Sequence, residues 1–161
     1  MFTGHQVAGL LKSQGFTHVV TIPDSTIGMW EQAIEESGIT LVRVCREGEA
    51  WTIAGGLYLG GKSPLVMIQC TGLFESGDAL RNMLHDWRLP IYGIVGYRSY
   101  LNQTNLPGDT SLVFTEPILA AWKLDTCFVK EPSQLDEMGR HMRACREGGR
   151  AGVSLIAEGR A

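Results

Sequence analysis

The stretch that decides the fold is LVMIQCTGL, residues 65–73 of a 161-residue chain. Its first half is a short, continuous apolar run, which is typical of a strand that is buried on both faces of a parallel sheet. Gly72 then stands between this run and a segment of helical periodicity, where it lets the backbone come close to a neighbouring group. The stretch therefore predicts a buried parallel strand, a tight turn and a helix.

The same alternation of apolar run and helical segment extends in both directions. Strands are predicted at 17–22, 40–44, 65–69, 91–95, 126–129 and 152–157. Helices are predicted at 3–14, 26–37, 47–60, 73–86, 112–122 and 132–147. This order predicts one α/β domain over residues 1–161, a flavodoxin-like three-layer fold with a mostly parallel six-stranded sheet and helices on both faces.

The composition and the charge of the chain argue against a membrane protein and against a nucleic-acid-binding protein. Hydrophobic residues make up 44% of the chain and charged residues 19%, and no apolar run approaches the roughly 18 residues of a membrane span. The 14 basic residues are scattered and the net charge is −3, which argues against nucleic acid. The cysteines Cys45, Cys70, Cys127 and Cys145 form no CxxC pair, so we expect reduced core thiols in a cytoplasmic protein.

Common catalytic motifs are missing from the sequence. It has no GxGxxG after the first strand, no GxxxxGK[ST] and no GxSxG. The helix-borne histidines His5, His85 and His141 are expected to be solvated surface side chains. A self-sufficient nucleotide enzyme and a hydrolase triad are both disfavoured.

Acidic residues follow the second predicted strand directly. Glu47 and Glu49 open a helix rich in Gly and Ala. They could simply be first-turn acids that the helix dipole favours. Alternatively, a carboxylate pinned there among apolar side chains is partly withdrawn from water and can hold or pass a proton.

Two other strand-end loops are candidate binding segments, because ligands of parallel sheets meet the carboxyl ends of the strands. Thr71 and Gly72 form one of them, unless they are only a strand-to-helix turn with Thr71 as the N-cap. Residues 96–109 form the other, a long loop rich in Asn, Gly and Pro. Its Arg98 is either a solvated charge or an anion-binding group.

Several segments together resemble the pyrimidine-binding (Pyr) domain of thiamine-diphosphate-dependent decarboxylases. They are IPDS at 22–25, REGEA at 46–50 followed by IAGGLY at 53–58, and MIQCTGL at 67–73. Within that family the chain is most similar to the alpha subunits of sulfopyruvate decarboxylases, with phosphonopyruvate decarboxylases close behind. The likeness covers nearly the whole chain.

The resemblance implies roles for individual residues. Glu47, rather than Glu49, matches the carboxylate that hydrogen-bonds N1′ of the aminopyrimidine and activates the cofactor. The implied cofactor-binding residues are Pro23, Glu47, Thr71, Gly72 and Leu73. The implied substrate-binding residues are Asp24 and Ser25, with Arg98, Asn102 and Gln103 as candidates for contacting a sulfonate or carboxylate. An open cofactor face would expose apolar groups around Trp51, Leu73 and Phe74.

One departure from the family pattern concerns the metal. Relatives hold Mg²⁺ and the diphosphate with a GDG motif and a downstream Asn on a second, PP domain, and this sequence has no GDG. The resemblance therefore implies a PP-domain beta subunit, a hetero-oligomer with at least two alpha and two beta chains, and no metal ligands on this chain.

The implied reaction is decarboxylation of a small 2-oxoacid, 3-sulfopyruvate giving sulfoacetaldehyde and CO2. Two alternatives stay open at this point. The substrate could be 3-phosphonopyruvate, or the chain could be a non-catalytic assembly or regulatory subunit.

Overall fold

Six strands form one parallel sheet in the computed structural model, which describes residues 2–102 and 108–159. They are β1 (His18–Thr21), β2 (Thr40–Arg43), β3 (Pro64–Gln69), β4 (Tyr92–Tyr97), β5 (Asp125–Val129) and β6 (Gly152–Ala157). Their order is β2-β1-β3-β4-β6-β5, and each neighbouring pair is parallel. The predicted sheet is confirmed.

The described residues form six α-helices, of which α1 precedes β1 and the other five connect the strands. They are α1 (Gly4–Ser13), α2 (Glu31–Glu36), α3 (Glu47–Leu59), α4 (Cys70–Arg81), α5 (Ser111–Ala121) and α6 (Leu135–Glu147). The predicted helix 26–37 is divided into a 3-10 turn, Ile27–Trp30, and α2. Within the described ranges, no helix has the length and apolar character needed to cross a bilayer.

The helices cover both faces of the sheet, because alternate strand residues point to opposite sides. On one face Val19 and Met67 pack in a cluster with α1, the α2 segment and α6. On the other face Val20 and Ile68 pack with α3, α4 and α5. The three-layer α/β architecture is thereby confirmed.

The start of α4 differs from its prediction. The helix begins at Cys70 with Gln69 as N-cap, so Thr71 lies in the first turn and is not the N-cap. Trp51 and Leu73 are fully buried in the second core cluster, and Phe74 is partly buried. The expectation of an exposed patch at Trp51 and Leu73 is therefore wrong, since packing of α3 against α4 covers both side chains.

The thiols match expectation except at one position. All four cysteines are free, and Cys70, Cys127 and Cys145 are buried. Cys45 is exposed, because β2 ends at Arg43 and leaves this residue in the following loop.

His141 is not the solvated side chain that the sequence suggested. Its Nδ1 lies 2.6 Å from the Tyr92 hydroxyl and its Nε2 lies 3.1 Å from Asp125 Oδ1. The Tyr92 hydroxyl also meets Ser154 Oγ at 2.8 Å. Helix α6 lays the imidazole against the first residues of β4 and β5, where it joins a hydrogen-bonded network at the amino ends of the strands.

Candidate active site

The carboxyl ends of the strands bring the predicted site residues to one edge of the sheet. Thr21, the last residue of β1, pairs with Arg43 of β2 and with Met67 of β3. Gln69, the last residue of β3, pairs with Gly96 of β4. The loops that follow β1, β2, β3 and β4 therefore leave the sheet side by side.

Glu47 opens α3 and packs directly over the first turn of α4. Its side chain is half-buried. A Cβ added to Gly72 would lie 2.3 Å from Glu47 Cγ and 2.6 Å from its Oε1, so only glycine leaves room for the carboxyl group. Within residues 2–102 and 108–159, no group donates a hydrogen bond to this carboxylate. Glu47 thus presents free acceptor oxygens beside the first turn of α4.

Glu49 has a structural task. One of its carboxylate oxygens accepts hydrogen bonds from the backbone N–H groups of Cys45 (3.1 Å) and Arg46 (3.2 Å). This is the reciprocal half of a capping box at the start of α3. The explanation as a first-turn helix acid therefore fits Glu49, and the choice between the two residues favours Glu47 for chemistry.

Glu75, on α4, serves the same helix end. Its Oε2 accepts the Gly48 N–H at 2.8 Å, and its Oε1 accepts Arg46 Nε at 2.9 Å. The Gly48 N–H, followed by the Arg46 side chain, lowers the pKa of Glu75 and keeps it ionised. With Glu49 and Glu75 occupied at the helix end, Glu47 has no capping role left to fill.

A buried hydrogen-bond chain fixes the spacing between α3 and α4. Trp51 Nε1 donates to Ser76 Oγ at 2.9 Å, and Ser76 Oγ donates to the Gly72 carbonyl at 2.6 Å. Both side chains are buried. The chain therefore holds the Gly72 backbone at a set distance from the helix that carries Glu47.

Asp24 joins the loop after β1 to the end of β3. Its Oδ1 accepts the N–H groups of Thr26 (2.7 Å) and Ile27 (2.9 Å), which starts the 3-10 turn. Its Oδ2 accepts Gln69 Nε2 at 2.7 Å, and Gln69 Oε1 accepts the Thr71 hydroxyl at 3.1 Å. Both Asp24 oxygens are thus engaged, and the neighbouring Ser25 is exposed.

A cavity of about 270 Å³ opens at this edge of the sheet. Its lining includes four predicted site residues, Pro23, Asp24, Ser25 and Arg98. Arg98 is half-exposed, with its Nε 3.6 Å from Asp109 Oδ2.

The other predicted site residues lie around the cavity or outside it. Asn102 packs against Gly159, which belongs to the cavity wall. Thr71, Gly72 and Leu73 lie in the first turn of α4, where the buried Leu73 can offer only its backbone. Gln103 lies outside the described residues.

The cavity wall also contains Glu158, which the sequence analysis missed. This residue directly follows β6 and is only 2% exposed. Burial, and then the charge of Asp24, raise its pKa to about 8, while the Thr26 side chain and Arg98 lower it. The available signal was an acid immediately after an apolar strand, the same pattern that drew attention to Glu47.

The sequence and the fold of this chain match those of known proteins. The family model described as "Thiamine pyrophosphate enzyme, N-terminal TPP binding domain" matches residues 1–110. The chain belongs to this family. Thiamine pyrophosphate (TPP) is the cofactor called thiamine diphosphate above, so the predicted resemblance to the Pyr domain is confirmed.

Two curated relatives of this TPP-binding domain are decarboxylases by name. One is the sulfopyruvate decarboxylase subunit alpha of Methanocaldococcus jannaschii, 25% identical over 126 residues, which cover 77% of this chain and 74% of that protein. The other is the phosphonopyruvate decarboxylase of Streptomyces viridochromogenes, 28% identical over 142 residues, which cover 87% of this chain and 35% of that protein.

Two solved structures share the fold. Benzoylformate decarboxylase from Polynucleobacter necessarius superposes with a TM-score of 0.71 at 20% identity, covering 98% of this chain and 30% of that one. The 2-oxoglutarate:ferredoxin oxidoreductase of Magnetococcus marinus gives a TM-score of 0.70 at 14% identity, covering 97% of this chain and 29% of that one. The TPP-binding domain therefore spans under a third of each of these larger chains.

Proposed function

We propose that this chain is the Pyr subunit of a two-chain thiamine-diphosphate-dependent decarboxylase that converts 3-sulfopyruvate to sulfoacetaldehyde and CO2. One observation carries the proposal: the Glu47 carboxylate is free of hydrogen-bond donors in the described structure and lies against Gly72, while the carboxylates nearest to it cap the helix. The similarity to a sulfopyruvate decarboxylase alpha subunit supports this choice of reaction.

The residues present fit a flat aminopyrimidine. Glu47 provides unused acceptor oxygens, and the absent side chain of Gly72 makes room for its carboxyl group beside the first turn of α4. When bound, thiamine diphosphate supplies the electron sink that decarboxylation of a 2-oxoacid requires. In this proposal Glu47 exchanges a proton with a ring nitrogen of the pyrimidine, and Pro23 and the turn Thr71, Gly72 and Leu73 hold the ring.

The substrate is assigned to the cavity beside this turn. Ser25 offers a hydroxyl and Arg98 a guanidinium, which suits a sulfonate or a carboxylate. Asp24 is a positioning residue in this proposal, because one of its oxygens holds the loop after β1 and the other holds the Gln69 side chain. Asn102, and Gln103 beyond the described residues, complete the proposed substrate contacts.

The divalent metal and the diphosphate are assigned to a second chain. The sequence has no GDG motif, and two further relatives that match this chain are also named subunit alpha. We therefore propose a PP-domain beta subunit that provides Mg²⁺ binding, in a cytoplasmic hetero-oligomer with at least two alpha and two beta chains.

A phosphonopyruvate decarboxylase subunit is the second candidate, supported by a relative of that name. Arg98 is the one cationic side chain in the described lining of the cavity. A single guanidinium balances a singly charged sulfonate better than a doubly charged phosphonate, which favours 3-sulfopyruvate.

The deciding experiment compares Glu47→Gln with Glu49→Gln. The assay is steady-state decarboxylation of 3-sulfopyruvate and of 3-phosphonopyruvate by the protein assembled with its PP-domain partner, with C2–H exchange of the bound cofactor followed by NMR. Glu47→Gln keeps the size of the side chain, but an amide cannot exchange a proton as a carboxyl group does. Decarboxylation and C2–H exchange should therefore fall about 10²- to 10⁴-fold. Glu49→Gln should have little effect, because Gln also serves at this position of a capping box. Near-normal exchange in the Glu47 variant would refute the proposal.

A further inference from the structure

Glu158 is a buried carboxyl group that the proposed mechanism does not use. Neither of its carboxylate oxygens has a hydrogen-bond partner of good geometry in the described parts of the chain, although the Thr26 side chain lies near them. Burying an unpaired carboxylate costs free energy, so such a group either takes up a proton or is paired by a bound ligand. The side chain belongs to the wall of the 270 Å³ cavity, which makes a ligand role possible.

The surrounding backbone holds Glu158 in place. Its N–H donates to the Tyr97 carbonyl at 3.2 Å, and its own carbonyl accepts the Leu101 N–H at 2.8 Å. A Cβ added to Gly96 would lie 2.0 Å from Glu158 Oε1, so the carboxyl group occupies the space that the glycine leaves. The carboxyl group is therefore packed against β4 at the wall of the cavity.

The charges facing Glu158 come from two loops. Asp24, after β1, is an acid whose two oxygens accept three hydrogen bonds. Arg98, after β4, brings a positive charge that it shares with Asp109. Gln69, at the end of β3, is uncharged. An ionised Glu158 would add a negative charge beside Asp24 and would oppose an anion at Arg98, whereas a neutral Glu158 adds none.

We propose that Glu158 is a ligand-binding residue that, as a neutral carboxylic acid, donates a hydrogen bond to an anionic oxygen of a small oxyacid beside Arg98. The identity of that oxyacid as a 3-substituted 2-oxoacid rests on the proposed function. A cation is disfavoured at this place, since both oxygens of Asp24 are already taken and Glu158 would be left as its single carboxylate ligand.

The test uses 3-sulfopropionate, a dianion without the reactive keto group, and the intact protein with any chain that co-purifies. Calorimetry gives its dissociation constant for the wild type, Glu158→Gln and Glu158→Met. Gln keeps a donor and should bind within a few-fold of the wild type. Met is unbranched and of similar length but has no donor, so it should bind about 10- to 100-fold more weakly, the range for a hydrogen bond to a charged group.

The pH dependence separates this role from simple packing. The pKa of Glu158 is raised to about 8, so wild-type affinity should fall about tenfold between pH 7 and pH 9 as the neutral form disappears. The Gln variant should show no such fall. The probe does not titrate in this range, because its carboxyl group has a pKa of about 4.

Carboxyl ¹³C NMR of Glu-labelled protein gives a second reading, with the Glu158 signal assigned by its loss in Glu158→Gln. A midpoint near 8 is expected. A midpoint below about 6, equal binding by the Met variant, or binding that needs a divalent cation would overturn the inference. None of these readings needs turnover. If these binding results contradict the role of Glu158, the proposal for Glu47 is unaffected. If Glu47→Gln keeps its activity, the proposal that the cavity binds an anion is unaffected.

Discussion

Replacing Gly72 with alanine tests the closest contact in the candidate site. The new Cβ would lie 2.3 Å from Glu47 Cγ and 2.7 Å from its Cδ. The Ser76 hydroxyl holds the Gly72 carbonyl at 2.6 Å, so the backbone of α4 is restrained from moving away. The half-buried Glu47 side chain should therefore rotate instead, which removes its carboxylate from the position beside the turn.

Gly72→Ala should change the stability of the fold little and lower the activity strongly. Alanine in place of glycine inside a helix stabilises by about 1 kcal/mol, and overpacking that the site cannot relieve costs about 1–3 kcal/mol. Because Glu47 can rotate, we expect the free energy of unfolding to change by no more than about 1 kcal/mol. A displacement of about 1 Å in a catalytic group costs about 10²-fold in rate, so activity should fall by at least that factor.

The assay combines urea unfolding with decarboxylation by the assembled enzyme. The matched control is Gly9→Ala on α1, an exposed helical glycine where an added Cβ meets no atom within 4 Å. It should gain about 1 kcal/mol and keep full activity. Combining Gly72→Ala with Glu47→Gln should cost little more than either change alone, because both act on one carboxylate. Full activity in Gly72→Ala, or additive losses in the double variant, would refute the reasoning.

Two further substitutions test other contacts. One concerns the hydrogen bonds between α3 and α4, and the other concerns the network at the amino ends of the strands. Ser76→Ala leaves the buried indole N–H of Trp51 without its acceptor, so the free energy of unfolding in urea should fall by about 1–3 kcal/mol; a loss below about 0.5 kcal/mol would contradict this role. The hydrogen bond from His141, and then the charges of His141 and Arg150, lower the pKa of Asp125 against the effect of burial. This contribution to stability is present above the ordinary carboxyl value near pH 4 and is lost as pH falls through the lowered value. Urea unfolding at several pH values should therefore show that acid lowers the free energy of unfolding less in Asp125→Asn than in the wild type. Equal losses in the two proteins would show that the Asp125–His141 contact does not contribute to stability.

The sequence by itself determined the architecture and one catalytic candidate. The continuous apolar run at 65–69 indicates a strand buried on both faces, as in a parallel sheet covered by helices, and this pattern can be read from consecutive residues alone. Glu47 was also identifiable, because an acid just beyond the carboxyl end of a strand lies where ligands of parallel sheets bind.

The tertiary structure alone decided how the acidic residues divide their tasks. Glu49 and Glu75 accept backbone N–H groups at the start of α3, whereas the Glu47 carboxylate accepts none in the described residues, and Glu75 reaches Gly48 from another helix. Glu158 reaches the cavity wall because β6 pairs with β4, which brings it beside Gly96, 62 positions earlier in the chain. Local patterns encode burial and helix ends, whereas these contacts join residues far apart in the chain and exist only once the strands have paired.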